Sequence, residues 1–182
     1  VIARPPEHCP ECAQHGEFKK QKKKKADVFG DIGCYTLAGF EPLEALHTTI
    51  CMGASIGNAI GAALVHGTEK AVAVLGDSTF LHSGMTGLLD AVYNQANVTV
   101  IILDNRATAM TGGQQHPATG YNLMGQESPA VDLQELVKAL GVKNVRMMDP
   151  YSLEQIKSAI DASMEEEGPS VCITTRPCML FP

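Results

Sequence analysis

The chain of 182 residues has no Trp, and only 5% of it is aromatic. A core of stacked rings is therefore excluded, and Ala, Val, Ile and Leu, which dominate the apolar runs, must fill the interior. Excess positive charge is also missing. The formal net charge is -6 at pH 7, whereas a reader of a nucleic-acid backbone needs a net basic surface. No apolar stretch reaches the roughly 18 residues of a membrane span, and no basic segment leads into an apolar one at the N-terminus. The sequence thus predicts a soluble, cytoplasmic protein with neither nucleic acid nor membrane as partner. The Cys at 9, 12, 34, 51, 172 and 178 lack the even spread of a disulfide framework. In a reducing compartment such thiols are metal ligands or core residues. What is present is 45% hydrophobic and 19% charged residues with 17 Gly, a globular mix. The length suits one domain with a sizeable core and is too short for two independent catalytic ones.

Two parts are expected: an N-terminal loop with a Lys-rich segment over 1–26, and an α/β domain over 27–182. The first 18 residues are polar and Pro-rich and contain Cys-Pro-Glu-Cys. Residues 19–25, KKQKKKK, read as a solvated helix face or connector, or as a stripe for an acidic partner. A short strand is predicted over 27–29, followed by a turn, GDIG. Over 52–67 the small residues of GASIGNAIGAALVHG suggest a helix packed closely on a sheet. The runs AVAVL (71–75) and VTVIIL (98–103) are continuously apolar, as in strands buried on both faces. Between them, residues 80–95 carry apolar positions at helical spacing. The stretch 112–128 is a long polar, Gly-rich loop, and 132–140, 142–147, 152–166 and 170–175 continue the alternation of helix and strand. The expected fold is an open, mostly parallel sheet with helices on both faces, its ligand lying at the carboxyl ends of the strands.

Two loops meet that condition: Gly76-Asp77-Ser78 after one buried strand, and Asp104-Asn105-Arg106-Ala107 after the next. Asp77 and Asn105, 28 residues apart, can give two hard oxygens to one Mg²⁺, with a backbone carbonyl as a third. Gly76 permits a tight turn, and the helix starting near Thr79 directs free N–H groups at an anion. A metal-diphosphate site follows, with an Asp that merely caps the helix as the plainer alternative.

Gly-Asp-x, 25 to 30 residues, then Asn at a strand end resembles the thiamine diphosphate motif. The blocks RPPEHCPEC, GDIGCYTL, CMGASI, GDSTFLHSGMTGLLDAVYN, ILDNRATAMTGGQQHP and TTRPC, in this order, resemble the thiamine domain of the large subunit of indolepyruvate:ferredoxin oxidoreductases, in the 2-oxoacid:ferredoxin oxidoreductase superfamily. The resemblance implies that Asp77 and Asn105 bind Mg²⁺ by side chain and Ala107 by its carbonyl. It places Ser78, Thr79 and Thr108, Ala109, Met110 and Thr111 around the diphosphate, and Ile32, Gly33 and Cys34 by the thiazolium end. It implies oxidative decarboxylation of a 2-oxoacid to acyl-coenzyme A, with electrons leaving through iron-sulfur clusters to ferredoxin. In that family a Glu from a second, pyrimidine-binding domain promotes cofactor activation, so this chain is expected to be half of an active site, as a fragment or the product of a split gene. It departs from the family where Cys-Pro-Glu-Cys-Ala-Gln-His stands for Cys-Pro-Gly-Cys-Pro-His-Arg, and where the segment before Asp27 is short and Lys-rich.

Cys9, Cys12, Cys34 and Cys178 suit a [4Fe–4S] cluster, with a structural Zn²⁺ or plain buried thiols as the other readings. Cys51 and Cys172, in apolar contexts, are expected in the core. His47, His82 and His116 are candidates to line the pocket as proton donors, His116 first and His82 second. Arg106 can contact phosphate or pair with a surface carboxylate. Two other functions remain open: a non-oxidative thiamine-dependent decarboxylase subunit, and a noncatalytic α/β module with a Zn²⁺ clip.

Overall fold

The computed structural model describes Cys9, Cys12, Gln14, Phe18 and residues 26–66 and 71–181. The Lys-rich run and most of the N-terminal loop lie outside the described residues. Six strands, β1 (Val28–Gly30), β2 (Thr48–Thr49), β3 (Ala71–Gly76), β4 (Val98–Asp104), β5 (Asn144–Met148) and β6 (Ser170–Thr175), form one parallel sheet in the order β2-β1-β3-β4-β6-β5. The chain moves outward from β1 to β2, then crosses back through helix α1 (Ser55–His66) to place β3 on the other side of β1. The direction of winding therefore reverses between β1 and β3, and their carboxyl ends open a crevice there.

Strand alternation sorts the core into two layers. Ala71, Ala73 and Leu75 of β3, Val98, Val100 and Ile102 of β4 and Val171 and Ile173 of β6 face one layer. There they meet α1, helix α2 over 77–93 and α3 (Leu133–Ala139). Val72, Val74, Ile101, Leu103 and Cys172 face the other, against α4 (Leu153–Glu165), a 3-10 segment (Cys34–Gly39) and Phe18. Helices thus cover both faces, as the runs without polar alternation require. Each fully buried Leu or Ile here contributes about 1.5–3 kcal/mol, which holds the strand ends rigidly. Among the described residues no helix is long and apolar enough to cross a membrane.

Helix α2 begins at Asp77, not near Thr79, and passes through a turn of α-helix (Asp77–Thr79), a π-helical turn (Phe80–Gly84) and α-helix again (Met85–Tyr93). Its glycines give the close approach. A Cβ on Gly84 would lie 2.7 Å from Leu75 Cδ1, and one on Gly87 would lie 3.1 Å from Ile56 Cβ. The glycines of α1 do the opposite of what its composition suggests. Gly57 and Gly61 have nothing within 4 Å of a built Cβ, while Ile56, Ala59, Ile60 and Ala63 supply the buried face. Cys51 is exposed, because β2 is a two-residue edge strand after which the chain turns outward. Cys172 is fully buried.

Candidate functional site

The first wall of the site follows β1. Asp31 is fully buried, and its carboxylate accepts hydrogen bonds from the backbone N–H groups of Ile32 (2.8 Å), Gly53 (2.7 Å) and Ser55 (2.9 Å). It thereby caps α1 and ties the 31–33 loop to the 51–54 loop. The sequence reading passed over it, although an Asp directly after a short apolar strand was the available signal. Gly33 is extended, and what its position demands is the absence of a side chain: a Cβ would stand 2.3 Å from the Tyr35 ring. The Tyr35 hydroxyl donates to Ile32 O (2.7 Å) and lies 3.2 Å from Thr79 Oγ1, which itself donates to Ile32 O (3.0 Å). These bonds join the end of β1 to the start of α2. Burial pushes the Tyr35 phenol well above its ordinary range. Gly76 is likewise extended (φ -82°, ψ 164°) where β3 passes directly into α2, and its missing side chain leaves room for Tyr35, whose Cε1 would be 3.0 Å from a Cβ.

Asp77 closes the second wall. It is buried, Oδ1 accepts from Ser78 N (2.8 Å), and Oδ2 accepts from Arg106 N (2.9 Å) across the sheet. Arg106 reaches this position in the left-handed conformation (φ 57°). Its guanidinium neither meets a surface carboxylate nor lines this cavity: Nε sits 3.2 Å from Oδ2 of the buried Asp104, and Nη1 donates to Ala118 O (3.2 Å). Burial pushes the Asp104 carboxyl up to about 6, a hydrogen bond and the charge of Asp77 adding to the rise and Arg106 opposing it. Asn105 Oδ1 accepts from Ala107 N (3.2 Å), and Thr108 Oγ1 donates to Ser78 Oγ (2.9 Å), linking the two strand-end loops.

Between these walls lies a cavity of about 140 Å³. It is lined by Ile32, Gly33, Cys34, by residues 76–79, and by Asn105, Ala107 and residues 108–111, every position that the sequence pointed to for the cofactor. Gln14, Tyr35, Met52 and Leu103 line it as well and were missed, since nothing local marks them. The histidines stand apart from it. His47 Nδ1 accepts from Val28 N (2.9 Å) and braces β1. His82 is exposed on the π-helical turn, 2.9 Å from Ser83 Oγ. His116 is buried, with Nε2 3.1 Å from Asp77 Oδ2 but off the hydrogen-bond axis.

A second cavity, about 280 Å³, adjoins the first. Cys9, Cys12, Cys34 and Cys178 all line it, together with Leu37, Pro150, Pro177, Met179 and Leu180. Cys12 N donates to Cys9 O (3.2 Å), and Cys178 N donates to Asn105 O (2.8 Å), which fastens the C-terminal segment to the end of β4. Burial pushes the thiols of Cys12 and Cys34 up, and the neighbouring cysteines add to both rises. Cys34, Leu103, Asn105, Ala109 and Gln14 border both cavities. Among the described residues no three His, Cys, Asp or Glu side chains converge closely enough to hold a single ion. A metal beside Asp77 therefore needs carboxamide and carbonyl oxygens.

A profile of the thiamine pyrophosphate enzymes, for their C-terminal TPP binding domain, matches residues 31–174. The indolepyruvate oxidoreductase subunit IorA of Archaeoglobus fulgidus is 39% identical over 98% of this chain and 29% of that protein. The subunit of the same name from Thermococcus kodakarensis is 38% identical over all of this chain and 30% of that protein. The chain thus spans about three tenths of the length of these relatives. The 2-oxoglutarate:ferredoxin oxidoreductase of Magnetococcus marinus superimposes with a TM-score of 0.83 at 18% identity, over 98% of this chain and 66% of that one, and shares its fold.

Proposed function

This chain belongs to the thiamine pyrophosphate enzymes, as a C-terminal TPP binding domain, and on that premise we propose that it is the diphosphate-binding half of an indolepyruvate or related arylpyruvate:ferredoxin oxidoreductase. The carrying observation is the shared wall: Cys34 and Asn105 border both the cavity at Asp77 and the cavity of four cysteines. An oxidoreductase that takes electrons singly from its organic cofactor needs such a short path; a non-oxidative decarboxylase does not.

The residues present fit the groups this reading requires. Asp77, Asn105 and the Ala107 carbonyl offer oxygen only, the donor set of Mg²⁺, which completes its shell with phosphate and water. The N-terminus of α2 and the hydroxyls of Ser78 and Thr108 favour the diphosphate anion. Ile32, Gly33 and Cys34, on the same cavity, would lie by the thiazolium end of the cofactor. Thiamine diphosphate, when bound, supplies a nucleophilic carbon and an electron sink for the loss of CO₂ from a 2-oxoacid. Four thiols spread around one largely apolar cavity suit a [4Fe–4S] cluster, whereas one Zn²⁺ draws four sulfurs to about 2.3 Å of a single point. The partners on this reading are a domain or subunit that supplies the pyrimidine half-site and its Glu, coenzyme A as acyl acceptor, the 2-oxoacid and ferredoxin.

The test is anaerobic purification with the pyrimidine-binding partner, followed by iron, sulfide and zinc analysis and thiamine extraction. Iron and sulfide in equal amount with bound thiamine, and coenzyme A-dependent reduction of ferredoxin by an arylpyruvate, support the proposal. Thiamine with no iron and aldehyde as product returns the decarboxylase reading, and zinc without thiamine returns the noncatalytic module.

A further inference from the structure

Behind Asp77 stands a buried residue that does not line the cavity. The side chain of His116 is 4% exposed, and its Nε2 stands 3.1 Å from Asp77 Oδ2. The other ring nitrogen, Nδ1, accepts a hydrogen bond from Ala118 N (3.3 Å), so the neutral ring carries its proton on Nε2, toward the carboxylate. Nε2 has no aligned acceptor of its own. Oδ2 takes the N–H of Arg106 and Oδ1 that of Ser78, one backbone donor each, so His116 is what distinguishes the two oxygens. With His116 beside it, Oδ2 is the oxygen committed to the protein and Oδ1 is the freer one for a cation.

His116 is also the base of the long loop over 112–128. Its carbonyl accepts the N–H (2.9 Å) and the hydroxyl (2.8 Å) of Thr119. Beside it, Pro117 O accepts from Val131 N (2.9 Å) and Ala118 O from Arg106 Nη1 (3.2 Å). The loop base and the carboxylate are therefore one connected unit. We propose that His116 is a positioning residue: it holds Asp77 through Oδ2 for a divalent cation on Oδ1, and it makes the order of the 112–131 segment depend on that cation. The inference rests on the cofactor reading above.

The test uses Mn²⁺, which like Mg²⁺ suits carboxylate and carbonyl oxygens, titrated against the full chain with its pyrimidine-binding partner and saturating thiamine diphosphate. Free Mn²⁺ is read by electron paramagnetic resonance. The variants are His116→Gln, whose amide can still donate, and the donor-free His116→Leu and His116→Ala, one filling the buried volume and one not. Loss of a group that orients a metal-binding carboxylate costs about 10–100-fold in metal affinity. That loss is expected in whichever donor-free variant folds, with His116→Gln within about threefold of the wild type. Backbone amides over 117–131 are expected to gain hydrogen-exchange protection on Mn²⁺ addition in the wild type and not in the donor-free variant. Unchanged affinity in that variant, an equal loss in His116→Gln, or equal protection gains overturn the inference. Asp77→Ala separates the two levels: if it binds Mn²⁺ like the wild type, the cofactor reading fails and the inference with it.

Discussion

The cavity at Asp77 is assembled from strand ends, while the cavity of the cysteines next to it is assembled from loops. Around Asp77, β1, β3 and β4 deliver Asp31, Asp77 and Asn105 on consecutive parallel strands, and backbone N–H groups already occupy the carboxylates. Around the cysteines, Cys9 and Cys12 come from the N-terminal segment, Cys34 from a 3-10 turn and Cys178 from the segment after β6. There the thiols repel one another when charged, and burial raises those of Cys12 and Cys34. The difference teaches that the first cavity is shaped before any ligand arrives. The second gathers buried thiols whose charges oppose one another, so on the proposed function a positive metal centre would relieve them.

Separate loss of each function breaks the comparison most directly. Asp77→Ala should weaken Mg²⁺-dependent thiamine diphosphate binding by at least about 100-fold, through loss of the one carboxylate that lines the cavity among the described residues and of its bonds to Ser78 and Arg106. Calorimetric titration checks this, and iron content should stay at the wild-type level. Cys34→Ser is the reciprocal variant. It should lose most of its iron and its reduction of ferredoxin while thiamine diphosphate affinity stays within a few-fold; full iron retention would remove Cys34 from the proposed cluster ligands.

Smaller effects sharpen the contrast in rigidity. Gly33→Ala sets a methyl against the Tyr35 ring and should cost about 1–3 kcal/mol in urea denaturation, with weaker cofactor binding as the 31–35 turn shifts. A loss below about 0.5 kcal/mol would mean that the turn yields easily. The smallest effect is read as a pH dependence. In the folded chain the Asp104 carboxyl sits at about 6, above its ordinary 3.8. A raised carboxyl gives stability that is complete below about pH 4 and is lost as pH rises through about 6. Without divalent cation, the wild type should therefore lose on the order of 2 kcal/mol relative to Asp104→Asn between those limits. Parallel stability curves for the two proteins would show that the fold does not hold the Asp104 carboxyl above its ordinary range.

The sequence by itself determined most of the sheet and the pairing of Asp77 with Asn105 at its edge, because both follow from local rules, while the rest of the first cavity's expected lining came from the family resemblance. Uninterrupted aliphatic runs make strands buried on two faces, and parallel strands present their following residues at one end, so Asp77 and Asn105 were bound to be neighbours. Strand β6 was legible to the residue, whereas two-residue β2 was invisible, since its pairing with β1 carries no hydrophobic period. Tertiary structure alone decided the rest. The exposure of Gly57, Gly61 and Cys51, the buried cap made by Asp31, the placing of His116 behind Asp77 and not in the cavity, and the turn of Arg106 toward Asp104 depend on contacts between segments distant in the chain. A residue type and its spacing state what chemistry a side chain can offer. Which face of an element it occupies, and which remote group it meets, is set only when the layers pack.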